Sequence, residues 1–171
     1  MGNFTNEPID LSQLPRYETL SFSSLHPSYW KVMVINIAMF FVLLTTGAAL
    51  GIIFDAEIRE NTFFLIIALI VLLVLVIIFA RLSFCKRGYV FRNHDVIYRT
   101  GIIATNTVII PYNRVQHVAL HEGFVARFFG LAKVEIFTAG GKGSDIQIPG
   151  IEKDKAEDIK QLLMGKIQKQ L

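Results

Sequence analysis

VMVINIAMFFVLLTTGAALGIIF, residues 32–54, runs for 23 residues without a charge. An α-helix rises 1.5 Å per residue, so about 20 apolar residues cross a bilayer's hydrocarbon core. The stretch therefore predicts a membrane span. A second run, TFFLIIALIVLLVLVIIFA at 62–80, holds 19 uncharged residues and predicts another. The first is too long for a signal-peptide core and has a polar and mixed stretch before it, so it is read as a retained span. The opening MGNFTN has Asn6 where a myristoylation signal wants Ser or Thr.

Charge gives an orientation. The connection DAEIREN (55–61) has three acidic residues and one arginine. The opposite flanks carry Lys31, Arg81, Lys86 and Arg87. The positive-inside rule then predicts both termini in the cytoplasm and a short external loop at 55–61. Tyr29 and Trp30 stand where an interfacial aromatic anchor is expected. Neither span contains an ionisable residue, which argues against transport, since ion and proton paths need one. Asn36 lies one turn inside the first span. Gly47 and Gly51 form a GxxxG, which fits close helix packing, either with another subunit or with the chain's own second span.

The whole chain has 171 residues, 53% hydrophobic and 18% charged, with one cysteine, Cys85. Its mean hydropathy is +0.48. That is too apolar for a soluble domain of this size, and one cysteine permits no internal disulfide. Residues 1–80 hold three Lys/Arg against six Asp/Glu, net −3; the rest holds fourteen against eight, net +6. A basic domain on a membrane stem points to anionic headgroups or an acidic protein surface. No groove-reading element is present, so nucleic acid is not expected as a partner.

From Lys86 the texture becomes short β-like runs between turns. RGYVFRN and HDVIYRTG meet at Asn93-His94-Asp95. IIATNTVIIPYN stops at Pro111, which cannot donate to a ladder. RVQHVALH and LAKVEIFTA flank an aromatic knot, and SDIQIPG follows Gly140-Gly141-Lys142-Gly143. Alternation is clean at 133–136 and 145–148 and poor at 114–121, as a bulge would make it. In the closing EKDKAEDIKQLLMGKIQKQL, Ala156, Ile159, Leu163 and Ile167 form one helical stripe. Six or seven strands and one amphipathic helix predict a small barrel or orthogonal sandwich with the helix over one open end.

Two spans, NRVQHV, ARFFGLAKVEIFTAGG, IQIPGI and a final helix, in that order, resemble the YdbS-like bacterial membrane proteins with a pleckstrin-homology-like domain. The resemblance covers residues 20–171. It implies an α+β membrane protein: a two-helix transmembrane hairpin, then a pleckstrin-homology-like β-barrel with a C-terminal amphipathic helix, in the bacterial cytoplasmic (inner) membrane. The expected division is an N-terminal cytoplasmic segment (1–31), spans at 32–54 and 62–80 around the external loop 55–61, and the cytoplasmic domain 81–171. The resemblance carries over no catalytic residue. It also implies a larger relative that repeats the domain, hence a homo- or hetero-oligomer with related membrane proteins. Lys86, Arg87, Arg92 and His94 fall near the place where eukaryotic pleckstrin-homology domains carry a basic headgroup cluster.

Two residue sets are candidate sites. Arg81, Lys86, Arg87 and Arg92 form a basic patch at the membrane exit, each worth about 1 kcal/mol at an anionic surface. Phe124, Arg127, Phe128 and Phe129 form the aromatic knot. It either dips into a membrane or partner, or folds its phenylalanines into the barrel mouth. Phe124 is assigned to the core and Arg127 to solvent, a phosphate or an acidic partner. His117, His121 and Glu122 suggest zinc only superficially, since strand residues four apart lie about 13 Å from each other. The glycines at 140–143 lack the following helix that a phosphate loop needs, and a hairpin turn is expected. No catalytic residue, metal or cofactor is assigned. The expected function is a non-enzymatic membrane-anchored interaction module, a subunit of a bacterial membrane assembly binding partner proteins or the anionic leaflet. The alternative is a lipid-handling protein holding an acyl chain or headgroup between spans and barrel.

Overall fold

The computed structural model describes residues 19–139 and 145–168. The two apolar runs form α1 (Ser28–Phe54) and α3 (Thr62–Lys86). Both are long and apolar enough to cross a membrane, and large apolar side chains stand exposed along both. They cannot face water at that density, so the chain is an integral membrane protein with two transmembrane helices. Between them the short α2 (Ala56–Glu60) is capped by Asp55, whose carboxylate accepts from the Glu57 and Ile58 N–H groups at 2.9 and 3.3 Å.

No glycine or proline interrupts ARLSFCK, and α3 continues to Lys86. Residues 81–85 are therefore helical. Five residues then advance about 7.5 Å rather than about 17 Å, bringing the following domain closer to the span.

The domain holds two antiparallel sheets. The first orders β1 (Ser23–Ser24), β2 (Gly88–Phe91), β3 (Asp95–Thr100) and β4 (Asn106–Pro111) side by side. The second orders β5 (Val115–His121), β6 (Leu131–Thr138) and β7 (Ile146–Glu152). Among the described residues no ladder joins the sheets, so the expected closed barrel is a two-sheet arrangement around a shared core. Tyr98 and Ile110 of one sheet and Val134, Ile136 and Ile148 of the other belong to that core. In α5 (Lys153–Gln168), the expected stripe buries Ala156, Ile159 and Leu163 there. Ile167's side chain and the Gly140–Gly143 turn lie outside the described residues, as does the N-terminal hexapeptide.

Phase matters at two places. Gln116 is an extra residue between the Val115–Thr138 and His117–Phe137 pairs, the bulge that blurs alternation in β5. In β7, Pro149 and Gly150 together face the single residue Lys133 of β6, between the Ala132–Ile151 and Val134–Ile148 pairs. Proline is tolerated because β7 is an edge strand.

Ahead of α1, Leu25 belongs to the core. Leu25 is buried, worth about 1.5–3 kcal/mol as an apolar side chain removed from water. β1 pairs with β2, and the Arg99 guanidinium lies 4.3 Å from the centroid of the Phe22 ring.

Candidate functional site

The junction of α1 with the domain is built from the β7 bulge. A bulge re-aims its residues and frees backbone groups. Here the Gly150 carbonyl accepts the His26 N–H at 2.9 Å. His26 Nδ1 accepts from the Ser28 N–H at 3.2 Å, leaving Nε2 to face the Glu152 carboxylate at 3.1 Å. Gly150 has φ +67°, and a Cβ there would lie 2.5 Å from Cγ of Tyr29. Only glycine lets the first turn of α1 come this close.

One turn further, Val32 is buried against Val125 and Leu131, with Phe129 packed beside them. Val125 belongs to α4 (Phe124–Phe128), the single helical turn of the aromatic knot. Phe124 and Phe128 share a face, as their spacing predicts, with rings edge to face at 5.3 Å. That face points outward: Phe124 is 76% and Phe128 75% exposed. The assignment of Phe124 to the core is therefore overturned. Val125 takes the inward position because a one-turn helix alongside α1 can offer the core only one side. Arg127 is exposed, as expected, and is close enough to Glu122 to favour its charged form. The Lys153 ammonium, 2.8 Å from Glu122, is the larger influence holding that carboxyl below its usual range.

A cavity of about 290 Å³ opens between α1, the α4 turn and the bulge. Tyr29, Val32 and Met39 of α1 form one wall, and Phe124, Ala126 and Pro149 stand opposite. Asn36, His121 and Lys133 also line it. Lys133 holds Glu135 at 2.5 Å and Gln147 Oε1 at 3.3 Å.

The basic patch is divided. Arg81 is exposed and lies over the Trp30 and Phe84 rings at 5.1 and 5.5 Å, binding the bases of the two spans together. Lys86 is exposed at the end of α3. Arg87 is half-buried, with its Nε buried and unpartnered. Arg92 stands beyond the far end of β2, in a two-pronged pair with Asp95, so its charge is used inside the domain. His117 stacks on Phe137 at 4.1 Å. Gly47's added Cβ would meet nothing within 4 Å, while Gly51's would meet Ile58 of α2 at 3.3 Å; at neither position would it meet α3.

Sequence reasoning missed Gly150 and Lys133 and did not place Asn36 at a cavity. The Pro149-Gly150 pair was visible, but it reads as a turn, and only its register against β6 reveals a bulge.

Two transmembrane helices fixed at their base to a two-sheet domain, with a helix packed on its core, define a membrane-anchored pleckstrin-homology-like protein. The chain belongs to the Bacterial PH domain family, whose model matches residues 31–167. It is similar to the UPF0699 transmembrane protein YdbS of Bacillus subtilis (strain 168), 33% identical over 72 residues. That match covers 42% of this chain and 43% of the relative, so the chain spans less than half of the curated relative's length. No solved structure matches it.

Proposed function

We propose that the chain is a non-enzymatic interaction module seated on the cytoplasmic face of the bacterial inner membrane, with its α4 turn inserted in the leaflet. In this reading it is a subunit of a membrane assembly. The spans fix its place, the domain grips the leaflet, and the domain's remaining surface meets partner proteins. The observation that carries the reading is the outward Phe124–Phe128 pair held beside α1, near the level of Val32 to Met39. Two exposed phenylalanines alongside a transmembrane helix have the bilayer as their natural solvent. Arg81 and Lys86 lie close to the same boundary and add headgroup attraction, at about 1 kcal/mol each. Gly47, with open space around it, offers a place for a related span to approach.

The test uses the full chain in liposomes. Phe128→Trp, in a Trp30→Phe background, gives one fluorophore at the turn. Quenching by lipids brominated along the acyl chain is expected, with little quenching by aqueous iodide. The opposite pattern would remove the α4 turn from the membrane and the reading with it.

A further inference from the structure

We propose that the cavity between α1, the α4 turn and the β7 bulge holds one glycerophospholipid of the adjoining leaflet. Its phosphate would face Lys133, an ester carbonyl would meet Asn36, and the first acyl carbons would lie along Val32 and Met39. The inference rests on the membrane-seated reading above.

Position identifies the occupant. The cavity's α1 wall runs from Tyr29 to Met39, about 15 Å along the helix axis. That distance starts at the interfacial aromatics and ends inside the hydrocarbon. A molecule filling it must be polar at one end and apolar at the other, and a leaflet phospholipid already stands there. The volume, about 290 Å³, is at the lower end of ligand pockets, enough for the glycerol region and the start of one chain.

Chemistry agrees at each level. At the upper end, Lys133 has three N–H donors. Glu135 and Gln147 engage two of them, which leaves one for a phosphate oxygen. Because Glu135 balances the ammonium, this contact recognises a phosphodiester rather than a net negative headgroup. Midway, Asn36 lies about 6 Å beyond Val32 along the axis. No hydrogen bond to its carboxamide is found among the described residues. A carboxamide at this depth needs a partner, because nothing in hydrocarbon can hydrogen-bond to it. An ester carbonyl accepts from its NH₂ at the depth where esters lie. At the lower end, Val32, Met39 and Phe124 supply the apolar wall.

Gly123 provides a clean test. It lines the cavity, its φ is −65°, and a Cβ there would meet nothing within 4 Å. Gly123→Phe therefore fills the space without displacing backbone. The full chain, extracted in mild detergent from membranes of equal phosphatidylethanolamine and phosphatidylglycerol, is examined by native mass spectrometry. One retained phospholipid per chain, of either headgroup, is expected. Gly123→Phe should abolish it. Asn36→Leu should lower occupancy by about 5- to 30-fold, the equivalent of one hydrogen bond lost in the membrane. Both variants should keep the acyl-chain quenching at position 128, which separates failure here from failure of the membrane-seated reading. Retention unchanged by both variants, or no retained lipid, would overturn the site. So would a lipid-free dimer that Asn36→Leu dissociates, because a second copy would then be the occupant.

Discussion

Tyr112 shows how one side chain joins the ends of the first sheet. It follows Pro111 in a short 3-10 turn, and its ring is buried in the core. Its hydroxyl donates to the Arg92 carbonyl at 2.6 Å, closing the β2–β3 connection over the end of β4. Burial first, and the Asp95 carboxylate second, push its pKa up to about 12. The folded value exceeds the ordinary value of 10.0, so the folded state holds a proton that the unfolded chain would release. That linkage leaves stability intact below pH 10 and removes it as pH rises towards about 12. Tyr112→Phe should cost about 1–3 kcal/mol at neutral pH, because the Arg92 carbonyl loses its donor. The variant's stability should also fall less steeply through the alkaline window in denaturant titrations. Some slope should remain, since burial raises Tyr98 as well. Equal slopes in both proteins would mean that Tyr112 is not the proton holder.

At the scale of elements, the spans and α5 were legible because each carries one dominant signal: unbroken apolarity, or a stripe at helical period. The strands were legible where two faces alternate. The two-residue β1 carries too few residues to show a period, and its place beside β2 depends on a chain that returns after both spans. The α4 turn was half legible. Spacing put Phe124 and Phe128 on one face, but spacing cannot say whether that face meets protein or lipid. Val125, filling the gap beside Val32, shows only that this face is turned away from the core. The β7 bulge gives the sharpest consequence. Gly150→Ala forces a left-handed backbone on alanine, at about 1–2 kcal/mol. It also drives a methyl into the Tyr29 ring, and overpacking costs about 1–3 kcal/mol more. Thermal unfolding should register the sum. Adding Tyr29→Gly, which removes both the ring and the Tyr29 Cβ that would stand 2.6 Å away, should recover the overpacking share, so the double variant should be less damaged than additivity requires. Strict additivity would show that the first turn of α1 moves aside freely and that the junction is not rigid.

For the whole molecule, the question is which side of the membrane the domain occupies. The inter-span connection is a compact capped turn, α2, with Asp55, Glu57 and Glu60 against Arg59. Ile58 folds back towards Gly51, so the turn stays close to the bilayer surface. At the opposite end, Lys31 follows Trp30, Arg81 lies over its ring and Lys86 ends α3. Short flanks of this kind set orientation through their Lys/Arg bias. Because His26, Tyr29 and Gly150 hold the domain at the base of α1, the domain must lie on the basic side. The expected arrangement is therefore a cytoplasmic domain and an external α2. In intact cells, with Cys85→Ser removing the exposed native thiol, Ala56→Cys should react with a membrane-impermeant maleimide. Thr105→Cys, exposed in the β3–β4 connection, should react only after permeabilisation. Labelling of Thr105→Cys in intact cells, with Ala56→Cys protected, would reverse the orientation. It would also place Arg81, Lys86 and the α4 turn against the outer leaflet of that membrane.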